Sequence, residues 1–426
     1  MLRLIKRLIP RKLFQFAQPV YHWKLALLGA LLYRFPSRHI KVIAITGTKG
    51  KSTTVELVNA ILEAAGKKTA VAGTIRFKIG NETRPNLFKM TMPGRFFIQK
   101  FLREAVEAKC DYAVIEMTSE GAKQFRHKFI DLNALIFLNL TPEHIESHGS
   151  YEKYRDAKLS LAHALAESPK KNKVMVVNGD DPEAPKFIEA AKGSIHKIFS
   201  IKDAGDLKLR PEGLTLQLQG KTITSHLRGR FNAYNILSAA TFALAYGISI
   251  DAIRDGIQTL KEVRGRVEGI KVLPNQPFEV IVDYAHTPDS LTKLYEAFPN
   301  NKKICVLGNT GGGRDAWKRP VMASIAEKFC DTVILTNEDP YDEDPRKIVD
   351  DMEAGMKNKK PLIIMDRGEA IHTAIKKASA GDVILISGKG TDPCIMGPNG
   401  TKIPWDDATV VREELKKMFD KKPNED

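Results

Sequence analysis

The run Ile43-Ala44-Ile45-Thr46-Gly47-Thr48-Lys49-Gly50-Lys51-Ser52-Thr53-Thr54 constrains this chain more than any other segment. Apolar residues lead into a glycine turn, and a lysine followed by hydroxyl residues opens what comes next. The pattern predicts a strand, a tight turn and a helix whose N-terminus faces phosphate. Glycines let backbone N–H groups converge on anionic oxygens, and the helix end adds partial positive charge. Lys51 is then placed to neutralise terminal phosphates and Ser52 to hold Mg2+. The general loop G-x-x-x-x-G-K-[ST] asks for glycine at position 45, where this chain has Ile45, so the loop is a shortened relative. A plain glycine turn before a helix would not need strand, glycines, lysine and hydroxyls all in register.

The rest of the chain suits such a loop. Its 426 residues suggest two or three domains, and short apolar runs alternate with helical stretches, the pattern of an α/β protein with mostly parallel sheets. Strands are predicted at Val42–Thr46, Tyr112–Glu116, Ala134–Asn139, Lys173–Asn178, Val280–Asp283, Lys303–Leu307, Thr332–Thr336, Leu362–Met365 and Val383–Ser387. Several are β-branched throughout, as strands covered on both faces should be. Between Leu207 and Leu227, alternating residues punctuated by Gly213 and Gly220 predict an antiparallel meander. The polar tail Lys421–Asp426 is expected to fray.

A net charge of +15 would suggest nucleic acid if it were spread over the fold. Instead Arg3, Lys6, Arg7, Arg11, Lys12, Lys24, Arg34 and Arg38 give residues 1–39 a charge of +8 with no acidic residue, leaving +7 for all the rest. No zinc-finger spacing or RNP-type aromatic motif turns charge into base readout, so no nucleic-acid partner is expected. The same segment holds Leu2, Leu4, Ile5, Leu8, Ile9, Leu13, Phe14 and Phe16, then the apolar run Leu25–Tyr33 bracketed by Lys24 and Arg34. That run is too short to span a bilayer, which takes about 18 residues or more. Nor does a small-residue cleavage site mark a signal peptide. Two readings stay open: a helix packed on the protein's own body, or a basic amphipathic helix in peripheral contact with the inner face of an anionic membrane. Cys110, Cys305, Cys330 and Cys394 stand apart with no C-x-x-C pair, which argues against a disulfide scaffold or zinc ribbon and accords with a reducing cytoplasm.

Gly47-Thr-Lys-Gly-Lys-Ser-Thr-Thr54 resembles the ATP loop of the Mur ligase superfamily, and further motifs follow in family order. Asn139-Leu-Thr-Pro-Glu-His144, His148-Gly149 and Tyr154-Arg-Asp-Ala-Lys158 resemble its UDP-N-acetylmuramoyl-tripeptide synthetase branch. So do Gly229-Arg-Phe-Asn232 with Asn235, Gly265-Arg-Val-Glu268, Asp283-Tyr-Ala-His286-Thr-Pro288, Gly311-Gly-Gly-Arg-Asp315 with Lys318-Arg-Pro320, and Gly388-Lys-Gly390. The resemblance implies a basic helical segment (1–39), a central P-loop ATPase domain (40–267) and a C-terminal Rossmann-like ligase domain (268–426). It implies a cytoplasmic ligase using ATP and Mg2+ to join a muramoyl-peptide or related carboxylate to an amino acid through an acyl phosphate. Folylpolyglutamate- or cyanophycin-type ligation, and a non-catalytic nucleotide-binding scaffold, are the alternatives.

Residue by residue, the resemblance assigns the nucleotide to Gly47, Thr48, Lys49, Gly50, Lys51, Ser52, Thr53, Asn232, Asn235, Arg266, Arg314, Asp315 and Lys318. Ser52, Glu116, His144 and a carbamylated Lys158 are its metal ligands. Lys51, Glu116, His144, Lys158, Asp283 and His286 carry catalysis. Thr91, Pro93, Thr118, Ser119, Asp339, Tyr341, Lys389 and Asp392 meet substrate. Blander readings exist for several: His144 as a surface residue, Lys158 as one more exposed lysine, and Asn232 and Asn235 as helix caps.

Three departures stand out. The branch carries an N-terminal domain of roughly a hundred residues that grips uridine diphosphate, and only the short basic segment precedes the loop here, although Lys89-Met-Thr-Met-Pro-Gly94 resembles the T-T-P-[DG] substrate loop. Where selection of meso-diaminopimelate uses D-N-P-R, this chain has Glu338-Asp-Pro-Tyr341, and Tyr341 cannot form a bidentate ion pair. The loop is acidic, with Glu338, Asp339, Asp342, Glu343 and Asp344. Either it is a solvated loop before a helix or it draws in a cationic amino acid such as lysine or ornithine. Finally, Gly388-Lys-Gly-Thr-Asp392 replaces G-K-G-H-E.

Overall fold

A computed structural model describes residues 11–143, 145–313 and 315–420. His144, Arg314, residues 1–10 and the tail expected to fray lie outside the described residues. The larger sheet contains β1 (Lys41–Thr46), β2 (Thr69–Ala72), β3 (Arg76–Ile79), β4 (Glu82–Pro85), β5 (Tyr112–Glu116), β6 (Ala134–Phe137), β7 (Val174–Asn178) and β8 (Ile195–Phe199). Their order is β4-β3-β2-β5-β1-β6-β7-β8, parallel except for the hairpin β3–β4. Strand alternation sends side chains to opposite faces. Ile43 and Ile45 enter one core with Leu57, Val58 and Ile236, while Val42 and Ala44 enter the other with Ile98, Phe101 and Leu102. Each buried isoleucine contributes about 1.5–3 kcal/mol. The expected meander is β9 (Lys208–Arg210), β10 (Gly213–Leu218) and β11 (Lys221–Ser225), and its Leu214, Leu216 and Ile223 close the first core.

A second sheet holds β12 (Glu268–Gly269), β13 (Glu279–Val282), β14 (Lys303–Leu307), β15 (Thr332–Leu335), β16 (Leu362–Ile363) and β17 (Val383–Ile386). It runs β12-β13-β17-β14-β15-β16, parallel except for β12. Alternation again divides the cores, with Ile281, Cys305 and Leu307 on one side and Val280, Val282, Ile304 and Val306 on the other. A small antiparallel pair follows, β18 (Cys394–Met396) and β19 (Lys402–Pro404). The buried Arg367 guanidinium grips Asp407 with two bonds of 2.8 and 2.7 Å and donates to Ser387 O at 2.9 Å. This anchors the C-terminal helix Asp407–Asp420 and fixes the backbone just before Gly388 and Lys389.

One expectation changes, and one of two open readings gains support. Cys305 in β14 and Cys330, just after helix Lys318–Phe329, form a disulfide with Cα atoms 6.1 Å apart. Packing of that helix against the sheet brings together two residues that look isolated in sequence, so the cysteines are not all separate. The helix Arg11–Leu32 also docks on the body. Ala26 and Ala30 are buried, the Trp23 ring meets Phe129 edge-on, and Arg103 donates to Tyr33 O and Arg34 O. Its outer face still exposes Val20, Tyr21, Leu28, Leu31 and Leu32. No helix among the described residues is long and apolar enough to cross a membrane.

His127 is buried with neither ring nitrogen hydrogen-bonded, and burial, with help from Lys128, lowers its pKa to about 3. An unfolded histidine titrates near 6.5, so the folded state binds fewer protons and stability falls as pH drops through that range toward 3. Between pH 7 and pH 5 the expected loss is about 2 kcal/mol from this residue. Denaturant melts should show a shallower acid slope in His127→Leu. Equal slopes would show that His127 is not responsible.

Candidate active site

β1 ends between β5 and β6, where parallel strands open a crevice at their carboxyl ends. Gly47–Gly50 leaves the sheet there and opens helix Lys51–Ala64. Gly50 has φ +86°, and a Cβ would come within 2.3 Å of Asn235 Oδ1, so glycine is what lets helix Arg230–Ala245 approach the loop. Thr54 Oγ1 donates to Asn235 Oδ1 at 3.4 Å, Asn235 Nδ2 to Asn232 Oδ1 at 2.8 Å, and Asn232 Nδ2 to Arg228 O at 2.7 Å. The two asparagines form one buried polar stripe beside the loop, as their spacing predicts. Neither is the cap of its helix, a place held by Gly229.

Ser52 Oγ donates to Glu116 Oε2 at 3.0 Å, and Thr74 N donates to the same oxygen at 3.0 Å. The parallel register that sets Ile45 beside Glu116 produces this meeting of helix start and strand end. A hydroxyl and a carboxylate are hard oxygen donors of the kind Mg2+ takes, so the pair fits that ion. Thr53 is buried in the same helical turn.

Lys51 Nζ donates to Gly47 O at 3.0 Å and Thr48 O at 2.9 Å. Lys158, on helix Tyr151–Glu167, is fully inside the protein and donates to Gly47 O at 2.8 Å, so it is not an ordinary exposed lysine. Burial lowers both pKa values, Lys158 well below the usual range with the Lys51 charge adding to the effect. One turn earlier, Tyr154 Oη meets Thr48 Oγ1 at 2.9 Å. Asn139 clasps Lys49, accepting from its N–H at 2.9 Å and donating to its carbonyl at 3.1 Å.

The second sheet faces this loop. Glu143 Oε1 accepts from Lys49 Nζ at 3.0 Å and lies 3.2 Å from His286 Nε2, while His286 Nδ1 lies 2.7 Å from Tyr284 O. Arg266 reaches Ser52 Oγ at 3.4 Å with its guanidinium 4.5 Å from the Tyr284 ring. Asp283 accepts from Val267 N and Ala285 N, each at 2.7 Å, and so pins the connection between the sheets. Asp315 N donates to the Glu146 carboxylate. Lys318 is buried, and its pKa falls for that reason despite Glu338 and Glu143.

The substrate candidates continue from Glu116. Beyond Thr74, whose Oγ1 lies 2.7 Å from Thr91 Oγ1, come the buried Met92 and then Pro93. Thr118 caps helix Ser119–Lys123, and Ser119 Oγ lies 3.2 Å from His148 Nε2. The buried Lys389 Nζ donates to Asp339 Oδ1 at 2.8 Å and lies 3.6 Å from Asp392 Oδ2. Tyr341 N donates to Met396 O at 3.0 Å.

Two domain patterns match the chain, the Mur ligase middle domain over residues 45–243 and the Mur ligase glutamate ligase domain over residues 265–390. A UDP-N-acetylmuramoyl-L-alanyl-D-glutamate–2,6-diaminopimelate ligase of Syntrophomonas wolfei is 38% identical over 407 residues, covering 92% of this chain and 81% of that protein. The chain belongs to the Mur ligase family. A UDP-N-acetylmuramyl-tripeptide synthetase of Roseiflexus is 36% identical, covering 92% and 82% of the two chains. A solved UDP-N-acetylmuramoyl-L-alanyl-D-glutamate–2,6-diaminopimelate ligase superposes with TM-score 0.61 at 30% identity, over 89% of this chain and 79% of that one. Folylpolyglutamate synthase of Mycobacterium tuberculosis shares the fold, with TM-score 0.66 at 17% identity over 94% and 95%.

In this Mur ligase the acidic loop is not a free cation trap. Glu338 accepts from Thr310 Oγ1, Asp342 from Asn399 N, Glu343 from Gly313 N and Arg319, and Asp344 caps helix Pro345–Glu353. Asp339 turns toward Lys389 and Lys89 and one Glu338 oxygen stands against Gly388, whereas Asp342, Glu343 and Asp344 are spent on backbone N–H groups and Arg319. Sequence reasoning passed over Glu143, although it lies inside the Asn139–His144 motif, and Lys89, whose partners are remote in sequence.

Proposed function

We propose that this ATP-dependent, ADP-forming Mur ligase joins a basic diamino acid to the carboxylate of a muramoyl-peptide acceptor in the cytoplasm. The observation that carries the site reading is the Ser52–Glu116 pair, 3.0 Å apart beside the buried Lys158. In the first step the acceptor carboxylate attacks the γ-phosphorus of ATP, forming an O–P bond as the β–γ bridging bond breaks and ADP leaves. The amine nitrogen of the amino acid then attacks the acyl carbon, the C–O bond to phosphate breaks, and phosphate departs with the electron pair while the amine loses a proton. Lys49, Lys51, Arg266 and Lys318 place positive charge where the transferring group gathers negative charge. Mg2+, held by Ser52 and Glu116 with His144 and a carbamate on Lys158, would supply further charge neutralisation.

We assign residues 40–267 to an ATPase unit and 268–426 to a unit that brings the amino acid, a division supported by the two separate sheets. Their approach excludes water that would hydrolyse the acyl phosphate. Asp339 and Asp392 favour a second ammonium on the incoming amino acid. meso-Diaminopimelate also carries a second ammonium, but beside it is a distal carboxylate that Asp339 and Asp392 repel and Tyr341 cannot pair. Lysine and ornithine should therefore outperform it in a phosphate-release assay with muramoyl-dipeptide acceptors, and a best rate with diaminopimelate would refute that preference. In the same assay Lys51→Ala and Glu116→Ala should each lose roughly 10²-fold or more in turnover, the usual effect of removing one preorganised charge. Near-normal turnover in a folded variant would remove its assigned role.

Carbamylation of Lys158 is supported by its low pKa. Only the neutral amine attacks CO2, and burial, with the Lys51 charge beside it, shifts Lys158 toward that form. Lys158→Ala should abolish most activity, and a short carboxylic acid should partly restore it. A Mg-nucleotide crystal structure with an unmodified Lys158 away from the ion would refute the carbamate.

Residues 1–39 are assigned a contact with the inner membrane face. Support comes from their charge of +8 and from an outer helix face that leaves Leu28, Leu31 and Leu32 more than half exposed. Each basic residue near anionic lipid adds about 1 kcal/mol, weakened by salt. The chain should sediment with anionic vesicles and release in high salt, whereas equal indifference to anionic and neutral vesicles would leave only the docked helix.

A further inference from the structure

Lys89 lies on the loop that follows β4, and its side chain crosses to the second sheet. Its Nζ donates to Asp339 Oδ2 at 2.6 Å and Cys394 O at 3.3 Å, and lies 3.4 Å from Asp392 Oδ2 and 6.0 Å from the Tyr341 ring centroid. Lys89 itself has φ +50°, a left-handed conformation that is strained for a non-glycine residue. Around the ammonium are two carboxylates, a carbonyl and an aromatic face, a set complete enough to bind an ammonium group of any origin.

The charge balance of this pocket is informative. Asp339 and Asp392 face Lys389, which is fully buried and cannot leave, and Lys89, which arrives from the other sheet on a flexible stem. Without Lys89 the pocket holds one carboxylate in excess. With Lys89 in place, the space beside it is a cavity of about 50 Å³ bordered by Thr91, Tyr284, Thr391 and Asp392. That is room for a few waters, while Lys89 itself takes the place between the two carboxylates. Burial alone would lower the Lys89 pKa, but Asp392 and Asp339 override it and hold the group charged above its ordinary value.

We propose that the Lys89 ammonium is a tethered stand-in for the second ammonium of the incoming amino acid, and that a basic diamino acid binds by displacing it from between Asp339 and Asp392. This rests on the ligase reading above and adds a residue that sets specificity through competition. Lys89 is a cost to binding that a diamino acid recovers, because its ammonium restores the two ion pairs. A neutral amino acid leaves one carboxylate in excess over Lys389 if it displaces Lys89, and meets a filled pocket if it does not. The selection therefore falls on the charge of the side chain and not on its length.

The test compares the whole enzyme with Lys89→Met, which keeps the aliphatic stem and removes the charge, in phosphate release at saturating ATP and acceptor. Lysine, ornithine and the uncharged isostere norleucine are the amino-acid probes. KM for lysine and ornithine should fall about tenfold in Lys89→Met, as loss of an internal competitor for a buried ion pair would give, with kcat little changed and norleucine unimproved. An unchanged or raised KM for the diamino acids overturns the proposal, as does an equal gain for norleucine, which would mean that Lys89 only fills space. Lys89→Gln, checked by thermal melting alongside Lys89→Met, must show the same contrast. If no amino acid releases phosphate with the unaltered enzyme, the ligase reading itself fails, a result distinct from a ligase whose KM values ignore Lys89.

Discussion

The Glu143 carboxylate is shared between Lys49 of the glycine loop and His286 of the second sheet. Neither sheet makes a ligase alone. The larger sheet gathers the phosphate loop, Ser52 and Glu116 at the carboxyl ends of its strands, and the second sheet gathers Lys389, Asp339 and His286 at the carboxyl ends of its own. A bond forms between two substrates only if those edges are held face to face at a fixed distance, since small errors in reactant placement are costly in rate. Glu143, Arg266 and the Asp315–Glu146 contact all cross this gap, the first two at the phosphate loop and the helix it opens.

The same closeness creates an electrostatic strain. Lys49, Lys51, Lys158, Arg266 and Lys318 crowd one region, and burial depresses the pKa of Lys51, Lys158 and Lys318. The protein tolerates this arrangement by giving the lysines loop carbonyls as partners, with Gly47 O accepting from both Lys51 and Lys158. Such a site is preorganised for an anion, because phosphate oxygens are better partners for these amines than backbone carbonyls are. Lys158 is the most deeply buried amine among them, and its pKa falls furthest.

Much of the fold could be read from sequence because its central strands are buried on both faces and appear as unbroken apolar runs, as in Val42–Thr46 or Val383–Ile386. Strands that escaped notice lack that signature. β2 is only Thr-Ala-Val-Ala, β3 alternates charged and apolar residues over just four positions, β4 is wholly exposed, and β8 is an edge strand whose residues are mostly exposed. The phosphate loop could be read for a similar reason, since its chemistry lies within ten consecutive residues. Contacts made by tertiary structure could not. Lys89 and Asp339 are separated by 250 positions, and Cys305 and Cys330 meet only because helix and strand pack together. For the acidic loop, composition reports the charge but not which carboxylates are taken up by backbone N–H groups, as those of Asp342, Glu343 and Asp344 are.

The facing of the two edges is tested most directly by a double-mutant cycle on turnover with Glu143→Gln and His286→Asn. If the shared carboxylate holds the edges together, removing either partner already breaks the contact, so the double variant should be little slower than the worse single variant. Losses that simply multiply would mean that Glu143 and His286 act independently, and that the contact between the sheets does not organise the site.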